Sequence, residues 1–291
     1  MTPLRQKMIN DMKLRRFSPG TQKLYVYAVE SLAKYYNRSP DLISQEEVYV
    51  FLIYLQEEKK LEWGSCNCMA AGLNFFYKTT LKEENIKFVI PKRKHQRKLP
   101  VIFSRSDLIK LFDAADSLRN RMILITAYSA GLRVSEVISL KPEHIESGRN
   151  MIRVEQGKGN KDRYTLLSDK LLKDLKVYWK RYRPKEYLFY PLGNPHKPLT
   201  KNMAWKIFNK AKKKAGFKCG RGIHSLRHSF ATHLLEDGVD LYSIKTFLGH
   251  SSISSTMIYL RLSENRIKKI KSPFDMYGSA ISEEALNDEC R

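Results

Sequence analysis

The N-terminal third of the chain carries apolar residues at the three- and four-residue steps of amphipathic helices. Ser18 before Pro19 supplies an N-cap and a proline in the first helical turn. The positions that follow at helical spacing are Leu24, Tyr27, Ala28, Ser31, Leu32 and Tyr35. Ser44, with Glu47 three positions later, has the pattern of a capping box and predicts a further helix to about Lys59.

Another apolar stretch runs from Met69 to Phe76, so residues 1–90 are predicted to form a small unit of three or four helices. Helical spacing accounts for most of the aromatic residues of this unit without any ligand. We therefore expect the following aromatic residues in its core: Tyr25, Tyr27, Tyr49, Phe51, Phe75 and Phe76.

Beyond residue 100 the pattern predicts a mainly α-helical domain that contains a small β-sheet. The segment MIRVEQ-GKGN-KDRYTLL predicts a β-hairpin, because Gly157 and Gly159 allow the turn a positive φ. A predicted helix over 121–139 is broken near Gly131. The other predicted helices cover 104–118, 168–183, 200–215, 225–237, 240–248 and 252–260.

The segment PKRKHQRKLP, residues 91–100, predicts an extended linker between the two domains, because its bounding prolines discourage a continuous helix. Such a segment serves as a solvated hinge, as a strand that follows a phosphate backbone, or as both. Its five candidate DNA-binding cations are Lys92, Arg93, Lys94, Arg97 and Lys98.

The charge of the chain favours a nucleic-acid partner. The formal net charge is +23 and is unevenly distributed. Lys and Arg number 13 against 10 acidic residues in 1–90, 39 against 15 in 91–271, and 1 against 5 in 272–291. A lysine excess also improves solubility, but an excess this large and this localised is typical of proteins that bind polyanions.

Other function classes are disfavoured by composition. The longest apolar run, VYVFLIYL at 48–55, is too short to span a bilayer, and the chain opens without the pattern of a secretion signal. The four cysteines show no metal-ligand spacing and are expected to be reduced thiols of a cytoplasmic protein. No membrane partner and no cofactor are predicted.

The segment HSLRHSFATH, residues 224–233, concentrates three of the seven histidines. His224 and His228 lie four residues apart, a spacing that suits zinc, but Ser225 stands where an HExxH motif has glutamate. Arg227 would also repel a dication, so no metal site is predicted. Burial in a core explains His228 and His233, but it does not explain His224 together with Arg227.

His224 and Arg227 share a helical face, where an imidazole and a guanidinium suit a phosphate. Arg133, in AGLRVSEVISL, adds a second arginine at a helix start, and Glu136 is placed to orient it. The alternative for this pair is an ordinary surface contact between residues three apart. Two further candidates downstream are His250 in LGHSS and Tyr259 in TMIYL.

The fragments GLRVSE, GKGNKDR, HSLRH, LGHSS and TMIYL, in this order, resemble the catalytic motifs of the tyrosine recombinases, also called the phage integrase family. The resemblance covers about 100–270, and the helical N-terminal part looks like the core-binding domain of that family. Arg261 stands where many members have a histidine after the nucleophile. The matched catalytic residues are Arg133, Lys158, His224, Arg227, His250 and Tyr259, with Glu136 in support.

The resemblance implies a two-domain DNA clamp of compact, Xer-like or transposon type, without metal or ATP. Tyr259 would attack a backbone phosphate, His224 would take its proton, and Lys158 would protonate the leaving 5′-oxygen. The expected substrate is double-stranded DNA with inverted-repeat half-sites, bound by a homotetramer. The expected parts are the core-binding domain 1–90, the linker 91–100, the catalytic domain 101–271 and an acidic tail 272–291. The tail is either a frayed terminus or a segment that docks on a neighbouring protomer.

Two alternatives share parts of this pattern. A type IB topoisomerase or telomere resolvase breaks and rejoins DNA with the same chemistry but without exchanging partners. A non-catalytic DNA-binding regulator would keep the fold and lose at least one of the six catalytic residues, and none is missing here. A metal-dependent transposase or nuclease would require an acidic triad on a sheet and is disfavoured, because the catalytic region is poor in acidic residues.

Overall fold

A computed structural model of the chain describes residues 2–83, 85–91, 100–155, 162–218 and 222–261. The chain divides into two compact units, Met1–Arg97 and Lys98–Arg291. The five predicted linker cations, the hairpin turn with Lys158, and the acidic tail lie outside the described residues. No helix in the described ranges is long and apolar enough to cross a membrane.

The first unit consists of helices, and both predicted caps are present. The Ser18 hydroxyl accepts from the Thr21 N–H, and the box of Ser44 and Glu47 is formed in both directions. A π-helical turn, Phe76–Leu81, follows the last helix. The helices are α1 (Pro3–Leu14), α2 (Pro19–Tyr36), α3 (Gln45–Glu57) and α4 (Trp63–Phe75).

The aromatic residues of this unit only partly follow the prediction. Phe51 and Phe76 are buried, but Tyr27 is 59% exposed and Tyr49 46% exposed, so their assignment to the core was wrong. Tyr27 is exposed because it lies outside the packed face of α2, whose buried residues are Val26, Ala28, Val29 and Leu32. These residues face α4, whose Gly72 allows a close approach because a Cβ there would lie 3.0 Å from Ala28 Cβ.

The second unit combines helices with the predicted small sheet. Its strands are β1 (Ile145–Glu146), β2 (Met151–Val154) and β3 (Arg163–Leu166), antiparallel in the order β1-β2-β3. The predicted hairpin pairing is confirmed by the register Val154 to Arg163. The helices are α5 (Arg105–Asp113), α6 (Leu118–Ser129), α7 (Val134–Ser139), α8 (Asp169–Tyr182), α9 (Lys201–Lys214), α10 (His224–Glu236) and α11 (Leu241–Leu248).

Two predicted helices differ from the structure. The helix expected over 104–118 ends at Asp113, and α6 begins separately under a Ser117 cap. The helix expected over 252–260 is two 3-10 turns, Ile253–Ser255 and Met257–Arg261. Hydroxyl side chains compete with the helical bonds there, since the Ser252 hydroxyl accepts from the Ser254 N–H.

Helix α10 crosses the interior of the second unit and is buried on most of its surface. It packs against α6, α11 and the 3-10 turn at 257–261, while α6 also packs against α8. Phe230 closes on Gly131, where φ is +59° and a Cβ would lie 2.3 Å from the phenyl ring. This close packing brings the loop before Arg133 against the helix that carries Arg227.

Candidate active site

Arg133 lies in the loop between α6 and α7, and Glu136 one turn later fixes both its backbone and its side chain. The Arg133 N–H donates to Glu136 Oε2 at 2.7 Å, and Nη1 donates to Oε1 at 2.8 Å. The Arg133 side chain is 20% exposed, whereas that of Glu136 is 6% exposed. The pair is therefore a part-buried, directional contact and not the ordinary surface pair of the alternative interpretation.

Two more arginines approach the same carboxylate. Arg163, at the start of β3, donates from Nη1 and Nη2 to the two oxygens of Glu136, at 2.8 Å each. Arg227 on α10 places Nη1 3.7 Å from Glu136 Oε2 and is 1% exposed. Burial raises the pKa of Glu136, but the arginines, Arg163 first, lower it to about 2. The carboxylate is therefore ionised at neutral pH.

The side chains of Arg133 and Arg227 also donate to backbone carbonyls, two of which lie at the C-terminal end of α11. Arg133 Nη2 donates to the carbonyl of Gly249, and Arg227 Nη2 donates to that of Leu248. Arg227 Nη1 donates to the carbonyl of Gly131 at 2.7 Å. Burial, with Arg133 nearby, lowers the pKa of Arg227 to about 9, so this guanidinium stays charged at neutral pH.

Three histidines surround this cluster. His224, the first residue of α10, is exposed, and its ring meets that of His228 edge-on with centroids 4.7 Å apart. His250 follows α11 and shares a hydrogen bond of 2.9 Å between its Nδ1 and Thr256 Oγ1. The protein atoms around them and then the nearby cations lower all three pKa values, to about 4 for His228 and His250. His228 and His250 are therefore neutral at pH 7.

Tyr259 lies on the last 3-10 turn and is 1% exposed. Its hydroxyl is 3.1 Å from His228 Nδ1, and its ring stacks on His250 with centroids 6.5 Å apart. Burial raises the pKa of the phenol, and Arg227 and Arg133 oppose that rise. Since neutral His228 can accept through Nδ1, the hydroxyl has a hydrogen-bond acceptor while it is shielded from solvent.

This arrangement suits an anion better than a metal. Among the described residues of this cluster, the guanidinium groups of Arg133, Arg163 and Arg227 outnumber the single Glu136 carboxylate. Within the same described ranges, no three His, Cys, Asp or Glu side chains are grouped as metal ligands would be. A phosphate offers the negative charge and the oxygen acceptors that guanidinium groups bind well.

The structure brings together the residues that the sequence motifs selected, apart from Lys158, which lies outside the described residues. Two members of the cluster were missed. Arg163 belongs to the hairpin segment KDRYTLL, in which no spacing links it to Glu136. His228 was expected only in a core, whereas it contacts the Tyr259 hydroxyl. His233 is buried as predicted, with Nδ1 2.8 Å from the Tyr128 hydroxyl.

Comparisons with known proteins agree with this geometry. Residues 102–266 match the phage integrase family, and residues 4–86 match the phage integrase N-terminal SAM-like domain. "Putative integrase/recombinase y4qK" of Sinorhizobium fredii (strain NBRC 101917 / NGR234) is 42% identical over 95% of this chain and 90% of its own length. Tyrosine recombinase XerD of Staphylococcus aureus (strain Mu50 / ATCC 700699) is 37% identical, over 62% of this chain and 64% of its own length.

A solved structure supports the fold. A lambda integrase tetramer bound to a Holliday junction superposes with a TM-score of 0.70, over 93% of this chain and 78% of that one, at 17% identity. The helical N-terminal domain and the mixed catalytic domain with its small sheet are thus those of the family. With the ordered motifs, the buried arginine cluster and Tyr259 beside it, the chain belongs to the phage integrase family and is a tyrosine recombinase that acts on DNA at specific sites.

Proposed function

We propose that this enzyme cuts and rejoins double-stranded DNA through a 3′-phosphotyrosyl bond to Tyr259. The observation that carries the proposal is the position of Tyr259 beside the arginine cluster: its turn packs against α10, which carries Arg227, and its hydroxyl lies 3.1 Å from His228 Nδ1 on that helix. A phosphodiester bound to that cluster would be attacked by this hydroxyl, once it is brought to the phosphate, without a metal. Its bond energy would be kept in the phosphotyrosine, so no ATP is needed.

The proposed roles follow from charge and geometry. Arg133 and Arg227 would hold the non-bridging oxygens and stabilise the negative charge that builds up as Tyr259 attacks. His224 and His250 would add hydrogen bonds, and Lys158 would protonate the departing 5′-oxygen. Attack by a 5′-hydroxyl from the partner strand reverses the step and completes the exchange.

The partner of the Tyr259 hydroxyl must change during this reaction. The structure gives His228 as that partner, and Tyr259 is 1% exposed, so the oxygen is shielded from an incoming phosphate. DNA binding is therefore proposed to move the turn Met257–Arg261 and bring the hydroxyl to the phosphate. His224, exposed at the start of α10, is the proposed acceptor of its proton.

We further propose that four protomers act on a pair of sites, each with two inverted half-sites. Each protomer would bind its half-site with both the core-binding domain 1–90 and the catalytic domain 101–271, which the linker 91–100 joins. The acidic tail 272–291 would dock on a basic neighbouring protomer, since its charge opposes contact with DNA. The tetrameric lambda integrase, which shares the fold, supports this arrangement.

A nicked suicide substrate tests the proposal, because loss of the short 5′ fragment traps any covalent product. The wild-type chain should accumulate a protein–DNA adduct in the presence of EDTA, and Tyr259→Phe should form none while binding DNA normally. An adduct in the variant, or none in the wild type, would refute the assignment. Products that join two duplexes, rather than relaxed plasmid alone, distinguish a recombinase from a topoisomerase.

A further inference from the structure

Arg163 makes a set of contacts that leaves it little freedom. Both of its Nη atoms donate to Glu136 at 2.8 Å, and Nε donates to the carbonyl of Phe247 at 2.9 Å. Its side chain is only 8% exposed. Gly249 lies directly against it, because a Cβ there would be 2.6 Å from Arg163 Cδ. Arg163 is therefore a fixed internal group rather than a surface cation.

The end of α11 shows why this position matters. The carbonyls of its last residues and of its cap have no partners within the helix, and their partial negative charge favours cations. The carbonyl of Phe247 accepts from Arg163, that of Leu248 from Arg227, and that of Gly249 from Arg133. Successive carbonyls of one helix end are thus shared among the three arginines of the cluster.

Glu136 provides a second common partner. It accepts two bonds from Arg163 and two from Arg133, and it lies 3.7 Å from Arg227. The charge of Glu136 also acts on His224, because it partly offsets the lowering of the His224 pKa. Arg163 is the strongest of the influences that keep the Glu136 pKa low, so it helps to maintain the charge that orients the other two arginines.

We propose that Arg163 is a positioning residue: it clamps Glu136 and the end of α11, and thereby holds Arg133 and Arg227 for the scissile phosphate without touching it. The inference rests on the proposed function, in which those two arginines bind that phosphate. Arg163 donates inside the protein from Nη1, Nη2 and Nε, so the structure gives it the part of holding Glu136 and the end of α11 in place.

The test compares Arg163→Met and Arg163→Lys with Arg119→Met, a matched control. Arg119 is also largely enclosed by the protein, but it donates to the carbonyl of Tyr190 at 2.9 Å and belongs to a different contact set. We expect Arg163→Met to slow single-turnover cleavage of the nicked substrate about 100-fold, since small misplacements of catalytic groups have effects of that order. Half-site affinity should stay near wild type, and the control should cleave normally once folded.

The pH profile separates positioning from a general loss of structure. Without Arg163, burial raises the Glu136 pKa, so its carboxylate takes up a proton as the pH falls and stops balancing Arg133 and Arg227. Cleavage by Arg163→Met should therefore decline toward acidic pH more than in the wild type and in Arg119→Met, where protonation of the histidines alone causes the loss. Adding Glu136→Gln to Arg163→Met should remove this new pH dependence, because nothing remains to protonate at that position.

Each outcome decides the proposal. Wild-type cleavage, or a slower rate with an unchanged pH profile, in a folded Arg163→Met overturns it. If that variant does not fold, Arg163→Lys decides, because one ammonium cannot bond both Glu136 oxygens and the Phe247 carbonyl. A normal rate in this lysine variant would also overturn the proposal. The proposed function fails separately, through an adduct formed by Tyr259→Phe.

Discussion

Two concentrations of positive charge in the catalytic unit are built in opposite ways. The site uses arginines whose side chains are 20%, 8% and 1% exposed, each bound to named oxygens. Helix α9 instead buries Ala204, Phe208 and Ala211 and turns lysines to solvent. Its exposed lysines are Lys201, Lys206, Lys210, Lys213 and Lys214.

The difference shows what each kind of charge is suited for. A guanidinium offers several donors in a fixed plane, so a buried cluster can present donors at defined angles to a phosphate. A lysine is a mobile point charge that attracts a DNA backbone over a distance and independently of sequence. We therefore expect changes in the cluster to affect reaction rate, and changes on α9 to affect affinity and its salt dependence.

The largest effect is expected for Lys158, a lysine to which the family resemblance gives a chemical role. Lys158→Ala should slow cleavage about 1,000-fold, within the range for a lost general acid. A 5′-bridging sulfur leaves without protonation, so a phosphorothiolate substrate should restore much of the rate. If both substrates are cut equally slowly, the lysine does not serve as the acid and acts only through its charge.

A smaller loss is expected for Arg133→Lys, which keeps the charge but loses the planar fork. The bonds of Arg133 to Glu136 and to the carbonyl of Gly249 cannot all be kept by one ammonium. We expect cleavage to fall about 100-fold, comparable to the loss of one oxyanion donor, with little change in half-site affinity. A matched loss of affinity and rate would show that Arg133 binds DNA and has no special role in the transition state.

On α9, Lys206→Gln combined with Lys213→Gln should lower half-site affinity roughly tenfold at low salt and leave the cleavage rate of bound DNA unchanged. Each lost phosphate contact should also reduce the slope of log affinity against log salt by about 0.9. The matched control replaces Lys173 and Lys180, which have the same spacing on α8. An equal effect of the control would indicate a general charge field and no contact specific to α9.

The buried cluster also predicts a pH dependence of stability that exposed lysines do not provide. His228 and His250 have pKa values of about 4, below the ordinary 6.5, so the unfolded chain binds their protons first. The free energy of unfolding should therefore fall as the pH drops from about 6.5 toward 4, by about 1–2 kcal/mol for each residue after allowance for partial exposure. Urea titrations measure the free energy of unfolding of the wild type and of a double variant that carries His228→Gln and His250→Gln. The double variant should largely lack this loss. If the free energy of unfolding of both chains falls equally between about pH 6.5 and 4, the prediction is contradicted.

Local chemistry was enough to predict much of the fold. The hydroxyl of Ser18, the box of Ser44 and Glu47, and the break at Gly131 act within a few residues, so their effect is visible in the sequence. The same holds for the hairpin, whose strands are close along the chain. The faces of α2 were harder to predict, because which side is buried depends on where α4 packs, and Tyr27 was wrongly assigned to the core for that reason.

The sequence by itself determined which residue types are available for the reaction, since the motifs around Arg133, His224 and Tyr259 each occupy one short stretch. Only the tertiary structure decided their partners. Arg163 meets Glu136 from 27 residues away, and Tyr259 meets His228 from 31 residues away. No periodic pattern in the sequence predicts either contact, because each one forms between two elements that are distant along the chain and meet only in the folded structure. The burial that makes both contacts strong exists only after that closure.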